Sequence, residues 1–270
     1  MFAANRSCFL TLLVSIFLMS SCFAKDEIVS EKVKTAETIP IYTYHNGGPF
    51  ITSANQGLTY ELAKYLNEEA QGRWAFPVIK QARLRFNRYV KNADKGIVPW
   101  VKPAWLKKLK LDNDLWSDAY FKDANVIVSR IDKPIDYQDP RSLFGYTIAK
   151  VKGAVQVGID PYIESGDIKE VNTTSFEGHL RMLKGRRADF VSTSLNIAKF
   201  NIAKLGFEKD LFISIRPIDE YTRHIMVING RQDLLEFINR AIHKMANDPR
   251  WIAAMSRFGT EELRVTDFTD

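Results

Sequence analysis

The only two cysteines of this 270-residue chain, Cys8 and Cys22, stand near its start, inside or beside a segment built for removal. Residues 1–24 carry one charge, Arg6, then the apolar run Phe9 to Met19 and the small-residue end Ser20-Ser21-Cys22-Phe23-Ala24. That is the three-part layout of an export signal, with cleavage expected after Ala24. No intramolecular disulfide is then expected in the mature chain, which has to be held by apolar burial alone. About 246 residues remain, enough for two hydrophobic cores. A composition of 46% hydrophobic and 26% charged residues argues against disorder. Met19-Ser20-Ser21-Cys22 also matches a lipoprotein cleavage box loosely, so an acylated Cys22 is the alternative processing. The apolar run is shorter than the roughly 20 residues that cross a bilayer. A periplasmic location is expected, with or without a lipid anchor.

Removing Arg6 leaves 37 basic against 32 acidic residues. Export and the scatter of these charges favour a solvated surface over nucleic-acid binding, so no nucleic acid is expected as a partner. Along the mature chain, strand and helix patterns alternate as α/β layers require. Ile39 to Tyr44 reads as a strand, and His45-Asn46-Gly47-Gly48-Pro49 as a loop where backbone approaches whatever lies above it. Leu58, Leu62, Tyr65 and Leu66 fall on one helical stripe. Trp74 to Ile79 and Gly96 to Val101 read as strands, with Arg83 to Lys91 a helix between them. From Ile131 the pattern begins afresh. Tyr146 to Val151 reads as a strand, Thr174-Ser175-Phe176-Glu177 fits a capping box, and Ala188 to Ser192 is a buried strand before a helix at Asn196 to Lys204. Leu211 to Arg216 and His224 to Ile228 read as strands flanking a break at Pro217 to Glu220. Asp248-Pro249 opens a terminal helix that Gly259 closes.

The segment from Leu115 to Arg130 resembles the crossing segment of the family 3 solute-binding proteins, periplasmic receptors for small polar solutes. Gly57-Leu58-Thr59-Tyr60-Glu61-Leu62-Ala63, Leu183-Lys184-Gly185-Arg186-Arg187-Ala188-Asp189 and Asp248-Pro249-Arg250-Trp251 with Phe258-Gly259 extend the resemblance in order and spacing over nearly the whole mature chain. It implies an α/β, two-lobe, type II periplasmic-binding-protein-like fold whose lobes are joined by two crossing hinge strands. The implied lobes are 38–127 with 224–270, and 128–223. The implied activity is ligand binding by a monomer without cofactor or metal, with solute handed to a membrane permease or, alternatively, presented to a membrane sensor protein.

The ligand site departs from the family pattern for α-amino acids. The first loop keeps Pro49-Phe50 but places Gly47 and Gly48 before it. Lys102-Pro103-Ala104-Trp105 stands where a carboxylate-binding arginine is implied, and Ser194 where an amine-binding aspartate is implied. The candidate ligand-binding residues are therefore aromatic or donors: Tyr44, His45, Trp100 and Trp105 for stacking, and Arg83, Lys102, Lys152, Ser192 and Ser194 for an anion or hydroxyls. Each has a plainer reading: Trp100 and Trp105 as core, Arg83 as a surface pair, His45 as an exposed loop residue, and Lys152-Gly153 as a turn. The four histidines lack paired-ligand spacing, and no nucleophile elbow, phosphate-binding loop or dinucleotide fingerprint is present. A periplasmic enzyme on the same fold is the minor alternative; the chain is expected not to be one.

Overall fold

The computed structural model describes residues 35–109, 113–151, 156 and 158–268. In chain order the first elements are β1 (Glu37–Thr38), β2 (Ile41–Thr43), α1 (Leu58–Ala70), β3 (Trp74–Ala75), β4 (Val78–Lys80), α2 (Arg83–Lys91), β5 (Ile97–Val101), α3 (Pro103–Leu106), β6 (Leu115–Trp116) and β7 (Phe121–Arg130). There follow β8 (Thr147–Val151), α4 (Asp160–Glu164), β9 (Lys169–Thr173), α5 (Phe176–Lys184), β10 (Phe190–Ser194), α6 (Leu195–Leu205), β11 (Leu211–Ile213), β12 (Asp219–Val227), α7 (Gln232–Met245) and α8 (Pro249–Ser256).

Most of these elements follow from local chemistry. Gly57, at the start of α1, has φ 121, and a Cβ there would strike the Phe50 backbone, so only glycine turns the chain into the helix. Leu58, Leu62, Tyr65 and Leu66 then form the buried stripe their spacing predicts. Asp248 caps α8 by accepting the Arg250 N–H at 2.9 Å. The cap of α5 is Ser175, not Thr174: its Oγ accepts the Gly178 N–H at 3.1 Å. The strand expected over Trp74 to Ile79 is interrupted, because Pro77 has no N–H to donate and the Phe76 N–H turns to Asn67 Oδ1 at 2.9 Å.

One mixed sheet runs through the molecule in the order β4-β2-β5-β12-β7-β10-β8-β9, with β6 beside β12 and β11 beside β7. Its two ends carry separate apolar clusters. At one end Ile41, Ile97, Phe121 and Ile225 pack beneath α1, α7 and α8, while Tyr42, Val98 and Met226 face the other side with Phe86 of α2. At the other end Val126, Val128 and Val191 pack against Leu180, Leu183 and Ile202 of α5 and α6, and Ile127, Ile148 and Phe190 face the opposite way. Val126, Ile127 and Val128 alternate sides because successive strand residues point to opposite faces. The clusters change hands between Phe121 and Ala124 on β7 and between Ile218 and Ile225 on β12.

Those two strands are the crossing connections. They pair antiparallel, Phe121 opposite Arg223, Asp123 opposite Tyr221 and Asn125 opposite Asp219. The expected break at Pro217 to Glu220 is thus overruled from Asp219 onward. The reason is tertiary: β7 supplies a ladder, and Asp219 accepts the Asn125 side-chain amide at 2.6 Å. Where β5 meets β12 the register shifts, and Trp100 occupies the bulge with φ 66.

Candidate ligand cleft

A cavity of about 600 Å3 opens between the loop after β2 and the elements β8, α5, β10 and α6. From the first lobe it is walled by Tyr44, His45 and Phe50, which form a ladder: the Tyr44 and His45 rings lie 4.5 Å apart, as do those of His45 and Phe50. The Arg83 guanidinium caps this ladder, 4.1 Å above Tyr44. The facing wall carries Thr174, Ser175, His179, Ser192 and Thr193, with Phe176 set edge-on to the His179 ring at 5.6 Å. At the back Phe200 presses on Gly48 so closely that a side chain at 48 would displace its ring. The charged residues among the described lining, Glu177 and Lys204, pair with one another at 2.6 Å.

Both cleft histidines hold polar atoms in reserve. Nε2 of His45 and both ring nitrogens of the buried His179 are enclosed without a hydrogen-bond partner among the described residues. Burial first, then the charges of Arg223 and Arg83, hold the His45 pKa well below its usual value, against an opposing effect of the Trp100 carbonyl. Burial likewise lowers that of His179; the Lys150 carbonyl, close to the ring but not aligned for a hydrogen bond, opposes it. Two imidazoles held neutral therefore line the cavity, with these nitrogens enclosed by protein atoms.

The remaining sequence candidates lie elsewhere. Trp100 is a core residue of the first lobe, fully enclosed, with its indole N–H donated to Thr59 Oγ1 at 3.0 Å and Phe50 and Tyr120 against its ring. Lys102 turns to Asp219, 3.4 Å away, and lies 4.7 Å over the Tyr221 ring. Trp105 packs edge-on to Tyr221 at 5.2 Å. Ser194 is buried at the start of α6, its hydroxyl 3.4 Å from Asn196 Oδ1. Lys152, Gly153 and Cys22 lie outside the described residues. Tyr44, His45 and Ser192 share the cleft, Arg83 reaches it through Tyr44, and Lys102 lies at the crossing strands on Asp219.

Sequence reading missed His179, Thr193, Phe200 and, beneath the cleft, the pair Asp123 and Arg223. The capping signature at Thr174 to Glu177 was the one local hint, since it fixes the helix whose first turns face the cavity. Two further cavities, of about 470 and 260 Å3, are lined from the first lobe alone, by residues such as Pro103, Trp116 and Met226 or Glu68, Arg250 and Trp251.

The fold is the two-lobe, periplasmic-binding-protein-like one. The chain is similar to an ancestral arginine-binding protein bound to arginine, with TM-score 0.63 and 18% identity over 83% of this chain and 99% of that one. It is similar also to the GluR0 ligand-binding core from Nostoc punctiforme in complex with L-glutamate, at TM-score 0.61 and 15% identity over 83% and 99%. The Bordetella pertussis BvgS periplasmic VFT2 domain matches at TM-score 0.58 and 17% identity over 82% and 93%. At these identities the likeness establishes the fold. No family model and no curated protein matches the sequence.

Proposed function

We propose that this chain is an exported solute-binding protein that closes its two lobes on a small polar solute bearing a planar or aromatic face, for delivery to a membrane transporter. The observation that carries this reading is the cleft itself: about 600 Å3, within the usual 300–1,000 Å3 of ligand pockets, with an aromatic ladder on one lobe and an unpartnered neutral histidine on each. Unpartnered buried nitrogens cost stability unless a ligand supplies their bonds.

A thermal-shift screen of the mature chain against amino acids, organic acids, polyamines and sugars tests it. A solute at 100 times its Kd adds about 2.7 kcal/mol of stability. Filling the cleft with Ser192→Phe is expected to abolish the response while leaving the fold intact; a response unchanged in that variant removes the cleft from the account. Presentation to a membrane sensor is the second reading, favoured by the likeness to the BvgS periplasmic domain. Solute uptake lost on deletion of the gene supports delivery, whereas uptake retained with a lost transcriptional response supports sensing.

A further inference from the structure

Beneath the cleft, Arg223 of β12 is held as a bound cation is held. Its Nε and Nη2 donate to Asp123 Oδ2 at 2.9 and 2.6 Å, Nη1 donates to the Trp100 carbonyl at 2.6 Å, and Nη2 lies 3.2 Å from the Tyr221 hydroxyl. The rings of Phe50, Trp105 and Tyr221 stand 4.9, 5.0 and 5.4 Å from its central carbon. A carboxylate, a carbonyl and three aromatic rings around a dry volume are the groups that recognise a guanidinium ion. The side chains are 2% and 0% exposed for Arg223 and Asp123.

The holder is assembled from both lobes. Phe50 and the Trp100 carbonyl come from the first lobe, and Phe50 also lines the cleft. Asp123 in turn accepts the backbone N–H of Ala124 at 2.9 Å and that of Asn196 at 3.4 Å, and the Asn196 side-chain amide, so it grips the start of α6 in the second lobe. A pair serving only to neutralise charge needs one carboxylate; the rings and carbonyl set around the other faces of this guanidinium are recognition groups.

We propose that this cage is a guanidinium-binding site whose resident ligand is the protein's own Arg223, a plug that sits behind Phe50 of the cleft wall, ties α6 to the crossing strands and keeps external guanidinium solutes out of that space. The inference rests on the hinge geometry and holds whichever solute the cleft takes. Emptying the cage tests it. Thermal unfolding of the full chain carrying Arg223→Ala is measured with millimolar propylguanidinium, and with propylammonium as a cation of equal charge that lacks the planar fork. The expected result is a saturable rise in Tm of several degrees with propylguanidinium alone, absent in the unsubstituted chain and in the Asp123→Asn/Arg223→Ala double variant. Should Arg223→Ala be unfolded, the same comparison is read as recovery of the far-UV circular dichroism signal. A propylguanidinium effect no larger than that of propylammonium, or one that persists without Asp123, overturns the proposal.

Discussion

Asp123 and Arg223 at the crossing strands bond every polar atom they enclose, while His45 and His179 in the cleft just above enclose ring nitrogens that bond to nothing among the described residues. Both regions are buried and polar, and both cost free energy to desolvate. The difference lies in who completes them. The hinge is completed by the chain itself and so fixes the fold; on the cleft wall, no described residue completes the histidine nitrogens. Burial of polar residues alone would not have separated structure from site. Satisfaction of their hydrogen bonds does.

The largest way to break this comparison is at the hinge. Asp123→Ala strands the Arg223 charge in a dry cage and is expected to cost about 3–5 kcal/mol, whereas replacing both partners by apolar residues, Asp123→Leu with Arg223→Met, recovers much of that loss. Urea midpoints of the single and double variants check this, and a single-variant loss under about 1 kcal/mol would mean that the pair is not load-sharing between the lobes. Trp100→Ala is expected to cost a similar ~3–5 kcal/mol as a cavity in the core, and to reduce solute binding only through unfolding.

Smaller effects sharpen the comparison in the cleft. Each of the two cleft histidines takes up its proton at lower pH folded than unfolded, so below the usual value of 6.5 the unfolded chain binds more protons. Their stabilising contribution is therefore full above pH 6.5 and is lost as pH falls through the depressed folded values. Urea midpoints between pH 7.5 and 5.5 should fall, and His179→Gln should flatten that slope; an equal slope in the variant contradicts the burial of a neutral imidazole. At lower pH a second decline is expected from Glu37, held at about 2 by hydrogen bonding to Arg231, and Asp248, held at about 2 by Arg250. Their contributions are present above the usual 4.5 and 3.8 and disappear as pH approaches 2. The smallest effect is Lys102→Ala: its pair with Asp219 is partly exposed, so a loss of about 0–1 kcal/mol is expected in the same denaturation assay.

The fold was legible where local chemistry and burial agree. The stripe on α1, the Asp248 cap and strand β8 could be read from local pattern, while β7 came through the resemblance of the crossing segment. The site was legible only in part, because Tyr44 and His45 sit in a glycine-marked loop and Ser192 ends a recognisable strand. Arg223 was hidden for a physical reason. It lies between the break read at Pro217 to Glu220 and the strand read from His224, and nothing local shows that Asp123, a hundred residues earlier, stands on the same face. His179 was hidden likewise, since a lone histidine on a helix carries no signal until the fold buries it. Trp100 and Trp105 show the converse: large aromatic residues near a crossing segment attract a binding reading, yet Trp100 serves the core and Trp105 walls the cage.

The central claim is that solute binds between the lobes. Hydrogen exchange of the full chain, with and without the most stabilising solute from the screen, tests it most directly. Protection is expected to rise together in residues 44–52 of the first lobe and in 174–179 and 192–204 of the second. Protection confined to one lobe, around Pro103 and Trp116 or around Glu68 and Arg250, would contradict it.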